Sequence, residues 1–175
     1  MMSLPMATQQ THWYYVAGSY VVGQTVVDVG AGTGYGVLIL KGLGAEFVMG
    51  IDPNPHLPYV FEGRGEDLPV DFCDWITCID VIEHVEEDIR LLQRMLKVAR
   101  VGVFLTTPNY DVYHCENEAH IREYTPFELE QLLYGLDYDI WNYSHSLFPP
   151  ERVEYLNQCQ NFGIVIWVHG RPEDA

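Results

Sequence analysis

The run VVDVGAGTGYG, Val26 to Gly36, sets one carboxylate, Asp28, ahead of glycines at alternate positions, Gly30, Gly32 and Gly34. A β-branched run that ends in such a turn and leads into a helix lets backbone approach a ligand closely. The loop residues Gly30, Ala31, Gly32 and Gly34 are therefore candidates for ligand contact. The spacing is G-x-G-x-G. The dinucleotide fingerprint G-x-G-x-x-G fails, because the sixth position is Tyr35 counted from Gly30 and Val37 counted from Gly32. Asp28 would repel a pyrophosphate at this loop and welcome a cationic ligand. A second carboxylate, Asp52, closes the next apolar run about 20 residues on, where an acidic side chain can accept ribose hydroxyls. The plainer role for Asp52 is a turn residue before Pro53. For Asp28 it is a cap on the loop's own amides.

The elements that must position these residues alternate between strand and helix signals, which predicts an α/β fold with a mostly parallel sheet. Strands are expected at Thr25 to Gly30, Phe47 to Asp52, Asp74 to Asp80 and Val101 to Pro108. Helices are expected at Gly36 to Ala45 and at Glu86 to Ala99, the latter with Ile89, Leu92, Leu96 and Ala99 on one face. Thr125 to Gly135 reads as a helix with Thr125 as N-cap, Pro126 first and Glu128 completing a capping box. The segments YDIWNYSHSLF and NFGIVIWVHG are two final strands, able to pair antiparallel because the loop with Pro149 and Pro150 need not hold a helix. Pro53 to Pro58 is too short for a crossover helix, so Tyr59 to Glu62 is a short irregular edge or not a parallel strand. The fold class is thus α/β, a doubly wound, Rossmann-like, mostly parallel sheet with an antiparallel last strand, shortened after strand 2.

The 175 residues predict one domain, 1–175, with residues 1–22 as an N-terminal lid segment. The formal net charge of −16, with Lys+Arg 9 against Asp+Glu 25, makes nucleic acid a poor default partner. Cys73, Cys78, Cys115 and Cys159 form no C-x-x-C pair and no zinc spacing. The start of the chain lacks a signal-peptide pattern and no apolar run reaches about 18 residues, so no membrane span is expected and a cytoplasmic, reduced protein is.

The motif series resembles the class I S-adenosylmethionine (SAM)-dependent methyltransferases: VVDVGAGTGYG, VMGIDPN, GRGEDLPVDFCDWITCIDVIEHV, VGVFLTTPN and HIREYTPFELEQLL, in order from Gly23 on. It is similar to the small-molecule, sugar and quinone members with E-H after the fourth strand. The resemblance implies SAM as cofactor, a methyl transfer, and cofactor contacts from Asp28, Gly30, Ala31, Gly32, Gly34, Asp52, Pro53, Gly65, Glu66, Asp67, Ile79 and Asp80. Arg64 stands where the family usually has an acidic residue near adenine, which moves that contact to Gly65 and Glu66. In the lid segment Trp13 replaces the family's usual Arg and Tyr14 remains, to cover the cofactor or pack in the core.

Methyl transfer needs alignment and dryness, and a base when the acceptor is a hydroxyl. The candidates at the carboxyl edge of the sheet are Asp80, Glu83, His84, Asn109, His114 and His120, with His84 favoured because imidazole titrates near neutrality. His84 could equally serve the helix that follows. The absence of N-P-P-Y and of a Pro-Cys nucleophile argues against nucleobase chemistry. The expected acceptor is a small molecule or sugar-like compound, O-methylated by His84, Asp80 and His120 without a metal. The runner-up follows a second resemblance: Asp80, Glu83, His84 and His120 are similar to the two-Glu, two-His metal set of small-RNA 3′-terminal 2′-O-methyltransferases, with Asp80 in place of a Glu. A third reading is a cofactor-binding protein that needs a partner. Trp13, Tyr14, Tyr110, Tyr113 and Trp141 could line an acceptor site or serve as packing, and a second copy of the chain could cover surface left by the missing helix.

Overall fold

The computed structural model describes residues 9–112, 117–144 and 147–171. The candidates His114 and Tyr113, and Cys115, lie outside the described residues. In chain order the regular elements are α1 (Gln9–Gly18), β1 (Thr25–Val29), α2 (Tyr35–Gly42), β2 (Phe47–Asp52), β3 (Val60–Glu62) and β4 (Cys73–Ile79). These are followed by α3 (Asp88–Val98), β5 (Ala99–Pro108), α4 (Pro126–Leu132), β6 (Asp137–Ser144), β7 (Leu147–Val153) and β8 (Asn161–Trp167).

The strands form one sheet in the order β3-β2-β1-β4-β5-β8-β6-β7. β1 to β5 run parallel, and β8 enters antiparallel between β5 and β6. This is the expected Rossmann-like arrangement. Strands β5 and β8 are buried along most of their length and carry continuous apolar runs, Val103 to Leu105 in β5 and Ile164 to Trp167 in β8, as a sheet covered on both faces requires.

Each face has its own core. Val27, Ile76, Leu91, Met95, Leu105 and Leu129 pack on the face that carries α3 and α4. Trp13, Leu40, Trp75, Phe104 and Trp167 pack on the face that carries α1 and α2. Trp13 is fully buried and its ring lies against Gly163 of β8, where an added Cβ would fall 2.4 Å from the indole Cζ3. Trp13 is therefore core, and not part of an acceptor site. Trp141 is also packed, its indole N–H donating to the Tyr20 hydroxyl at 3.0 Å.

Three expectations need correction. Helix α3 buries Asp88, Leu91, Leu92, Met95 and Val98, while Ile89 is 56% exposed. The face was misjudged because Ile89 is apolar but lies off the stripe set by Leu91, Leu92 and Met95. Helix α2 closes at Gly42, with the Leu43 N–H returning to the Ile39 carbonyl, three residues before the expected end at Ala45. The segment with Pro149 and Pro150 forms β7, an edge strand whose pairing with β6 is irregular at the prolines, the register passing from Glu151 opposite Asn142 to Leu147 opposite Ser144. Of the two readings of Tyr59 to Glu62 the short edge holds: β3 pairs parallel with β2 over three residues, Val60 opposite Gly50 through Glu62 opposite Asp52, and reaches it through a connection without a helix. A crossover helix is dispensable for so short an edge. The capping box of α4 is present, Thr125 Oγ1 accepting from the Glu128 N–H at 3.2 Å and the Glu128 carboxylate accepting from the Thr125 N–H at 2.9 Å.

Candidate active site

The chain leaves β1 for β2 on one side of the sheet and returns to β4 on the other. At such a switch point a crevice opens beyond the carboxyl ends of the strands. Its walls are the glycine loop after β1 and the turn after β4.

In the loop, Gly30 has φ 72° and Gly32 φ 49°. An added Cβ at Gly30 would meet Val81 Cγ2 at 2.4 Å, so glycine is required there by conformation and by space. The loop is held by Asp52, whose Oδ2 accepts from the Gly32 N–H at 2.9 Å while Oδ1 accepts from the Asn54 N–H at 2.8 Å. Each of these oxygens keeps acceptor capacity for a further donor.

Asp28 does not cap the loop amides; it is fully buried beneath the loop. The Tyr14 hydroxyl donates to its two oxygens at 3.2 and 3.0 Å, and the Thr77 hydroxyl donates at 2.6 Å. Burial pushes the Asp28 carboxyl up to about 7, against the pull of the two hydroxyls and with a small contribution from Asp52. Tyr14 thus braces Asp28, and its ring fills the space over Gly36, where a Cβ would fall 2.0 Å from Cζ.

A cavity of about 680 Å³ opens beside the loop. Of the expected cofactor residues, Gly30, Pro53, Gly65, Glu66 and Asp67 line it, together with His84. Ala31, Gly32, Gly34 and Asp52 belong to the adjoining loop and strand end. Ile79 packs in the core with Trp75 and Phe104 and does not line the cavity. Sequence reasoning missed Ile51, Val81 and Arg90, which also line the cavity. Val81 had a readable signal, since it directly follows the fourth-strand Asp80.

The second wall is a cluster of titratable side chains. Asp80 adopts φ 52°, a left-handed conformation that Asp tolerates better than most residues. It is held there by Thr106, whose hydroxyl donates to Asp80 Oδ1 at 2.7 Å and accepts from the Asp80 N–H at 3.0 Å. Burial raises the Asp80 carboxyl; Thr106 and the Gln10 amide of α1 oppose the rise. Glu83 is fully buried. Its Oε2 accepts from the Thr107 hydroxyl at 3.2 Å and its Oε1 has no hydrogen-bond partner among the described residues. Burial, reinforced by Asp80, pushes Glu83 up to about 8.

His84 Nδ1 lies 2.9 Å from the Ala119 carbonyl. A carbonyl only accepts, so Nδ1 carries the proton and Nε2 is left as a lone pair. His120 Nδ1 lies 3.2 Å from Glu123 Oε1, which fixes the same tautomer. The two imidazoles meet edge to face with centroids 4.8 Å apart. Donor atoms of Glu83, His84 and His120 lie within 4.8 Å of one another. Asn109, a further candidate, is buried and spends its side chain on the Cys159 carbonyl and the Asp111 N–H.

A family described as a methyltransferase domain matches residues 16–143. The chain belongs to this methyltransferase-domain family. It is similar to the tRNA U34 carboxymethyltransferase of Hahella chejuensis, 34% identical over 97 residues, a match that covers 46% of this chain and 30% of that protein. The chain thus spans under a third of the length of that relative. Among solved structures it resembles a SAM-dependent methyltransferase of Thermotoga maritima described as a possible histamine N-methyltransferase. That match has a TM-score of 0.71 and 15% identity over 91% of this chain and 88% of that one. It also resembles a small-RNA methyltransferase, with a TM-score of 0.68 and 16% identity over 100% of this chain and 27% of that one. The chain is thus a methyltransferase-family domain of Rossmann-like fold. Among the described residues no helix is long and apolar enough to cross a membrane.

Proposed function

We propose that this chain O-methylates a hydroxyl of a sugar-like acceptor, with Glu83, His84 and His120 holding a divalent cation beside the methyl donor. The observation that carries the reading is the pair of imidazoles with both Nδ1 atoms tied to acceptors, next to a buried and unpartnered Glu83 oxygen. A histidine whose Nδ1–H is held by a carbonyl or carboxylate presents Nε2 as a ligand, as metal-binding histidines usually do. An oxygen and imidazole donor set suits a hard or borderline divalent ion. It also accounts for a carboxyl that burial otherwise pushes to about 8, since a bound cation would compensate its charge. Such an ion lowers the pKa of an acceptor hydroxyl and orients it.

On this reading the cofactor's cationic methionine end lies over the acidic loop that Asp28 and Tyr14 support. Asp52 accepts the ribose hydroxyls, and the adenine enters the cavity between Pro53, Gly65, Glu66 and Val81. Asp80 adds negative potential near the sulfonium, and SAM supplies the methyl group already activated. The acceptor hydroxyl sits near His84 and His120, dry on the side of Glu83.

The −16 charge favours a free sugar-like acceptor. The alternative, a terminal ribose of RNA, draws on the likeness of the whole chain to a small-RNA methyltransferase. The test is release of S-adenosylhomocysteine (SAH) from SAM with a panel of sugars, nucleosides and short RNAs, with and without a chelator. Turnover that chelation abolishes and manganese restores supports the reading. Turnover indifferent to chelation refutes it, and the panel decides between free sugar and RNA.

A further inference from the structure

The segment that carries His120 has no regular secondary structure, yet it is pinned at two places. The first is backbone: the Glu83 carbonyl accepts from the Ile121 N–H at 2.8 Å and from the Arg122 N–H at 3.2 Å. The second is a side chain far from it in the chain. Asp88, in the first turn of α3 and only 4% exposed, accepts from the Tyr124 hydroxyl at 2.6 Å and from the Arg122 guanidinium. Tyr124 is 1% exposed and anchored to the end of β5, where it bridges Asn109 and its carbonyl accepts from the Tyr110 N–H at 2.9 Å.

Within its own helix Asp88 bonds only the Ile89 N–H, at 2.7 Å. An exposed carboxylate would serve that first turn as well. Burying one is costly unless donors compensate it. The two donors that do so come from Arg122 and Tyr124, on either side of Glu123, the residue that holds the His120 ring.

We infer that Asp88, Arg122 and Tyr124 form a clamp that sets His120 against Glu83 and His84. They are positioning residues of the cation site, and this assignment rests on the reading proposed above. Asp88 touches neither ligand atoms nor cofactor in this arrangement; it acts through the segment it grips. Losing a residue that orients a metal ligand lowers metal affinity about 10- to 100-fold.

The experiment compares wild type with Asp88→Asn and Tyr124→Phe, both close to isosteric. Three quantities are measured: amide hydrogen exchange at Ile121 and Arg122 in metal-free protein, manganese affinity by calorimetry, and SAH affinity. The clamp predicts faster exchange at those two amides with the β8 amides unchanged. It predicts manganese binding about 10- to 100-fold weaker with SAH affinity held. Unchanged exchange and unchanged manganese affinity in both variants would overturn it. So would SAH affinity falling in parallel with manganese affinity, which would mark a general structural loss. A wild type that binds no manganese refutes the cation reading alone, and the exchange data then decide the clamp. If Asp88→Asn does not fold, Tyr124→Phe decides, because it keeps the buried ring.

Discussion

The two walls of the crevice are made by different means. The wall after β1 is contiguous backbone, bent by glycines and tied down by one carboxylate, Asp52. The wall after β4 is a set of side chains from two segments far apart in the chain, joined by hydrogen bonds between Glu83 and Ile121 and between Asp88 and Tyr124. The first wall tolerates little change in shape because a Cβ at Gly30 or Gly34 has nowhere to go. The second tolerates changes in shape but not in charge or donor count. Substitutions should therefore separate cofactor binding from the chemistry of the acceptor side.

The largest effect is expected at the first wall. Gly30→Val combines φ 72° with a Cβ 2.4 Å from Val81 Cγ2. It should lower unfolding free energy by at least about 2 kcal/mol and remove SAH binding. Denaturant melts and calorimetry check both; a stable variant that binds SAH would show that the loop has slack.

Next in size is a pH effect beneath the same wall. The Asp28 carboxyl is raised from its ordinary value to about 7. At low pH both folded and unfolded chains hold this proton. As pH rises through the ordinary carboxylate range the unfolded chain releases it while the folded one keeps it, so stability falls with pH up to about 7 and is level beyond. At its steepest the slope approaches about 1.4 kcal/mol per pH unit. Asp28→Asn should lose that part of the slope in cofactor-free protein, measured by urea unfolding at a series of pH values.

Asp52→Ala should weaken SAH binding about tenfold or more, since two hydrogen bonds to a carboxylate and a loop tether are lost together. Manganese affinity should stay close to wild type, which sharpens the division between the walls. The smallest effect is expected far from both: Thr125→Ala should cost about 1 kcal/mol by removing the cap of α4, with SAH binding untouched.

The same division explains what could be read from the sequence. The glycine loop, the end of β2 at Asp52 and the succession of β1, β2, β4 and β5 along the chain were legible because each depends on neighbours in the chain: a run, a spacing, a punctuating residue. The capping box of α4 was legible for the same reason. The buried face of α3 was misread because Ile89 matches its pattern by hydropathy and only the docked sheet selects Leu91 and Met95 instead. The strand β7 was missed because its two prolines speak against a strand, and an edge position removes the objection. His84 and His120 were picked out by type, but the tautomers that leave both Nε2 atoms as lone pairs depend on Ala119 and Glu123, which carry no signal of their own. Asp88 gave none either, because it reads as an ordinary first-turn acid.

The most direct measurement is a calorimetric titration of manganese into the SAH-loaded protein, with His120→Ala alongside. A cation held by His120 predicts one site in the wild type, lost or at least tenfold weaker in the variant, with SAH affinity equal in the two. Absence of manganese binding to the wild type, or equal binding to both proteins, would contradict it.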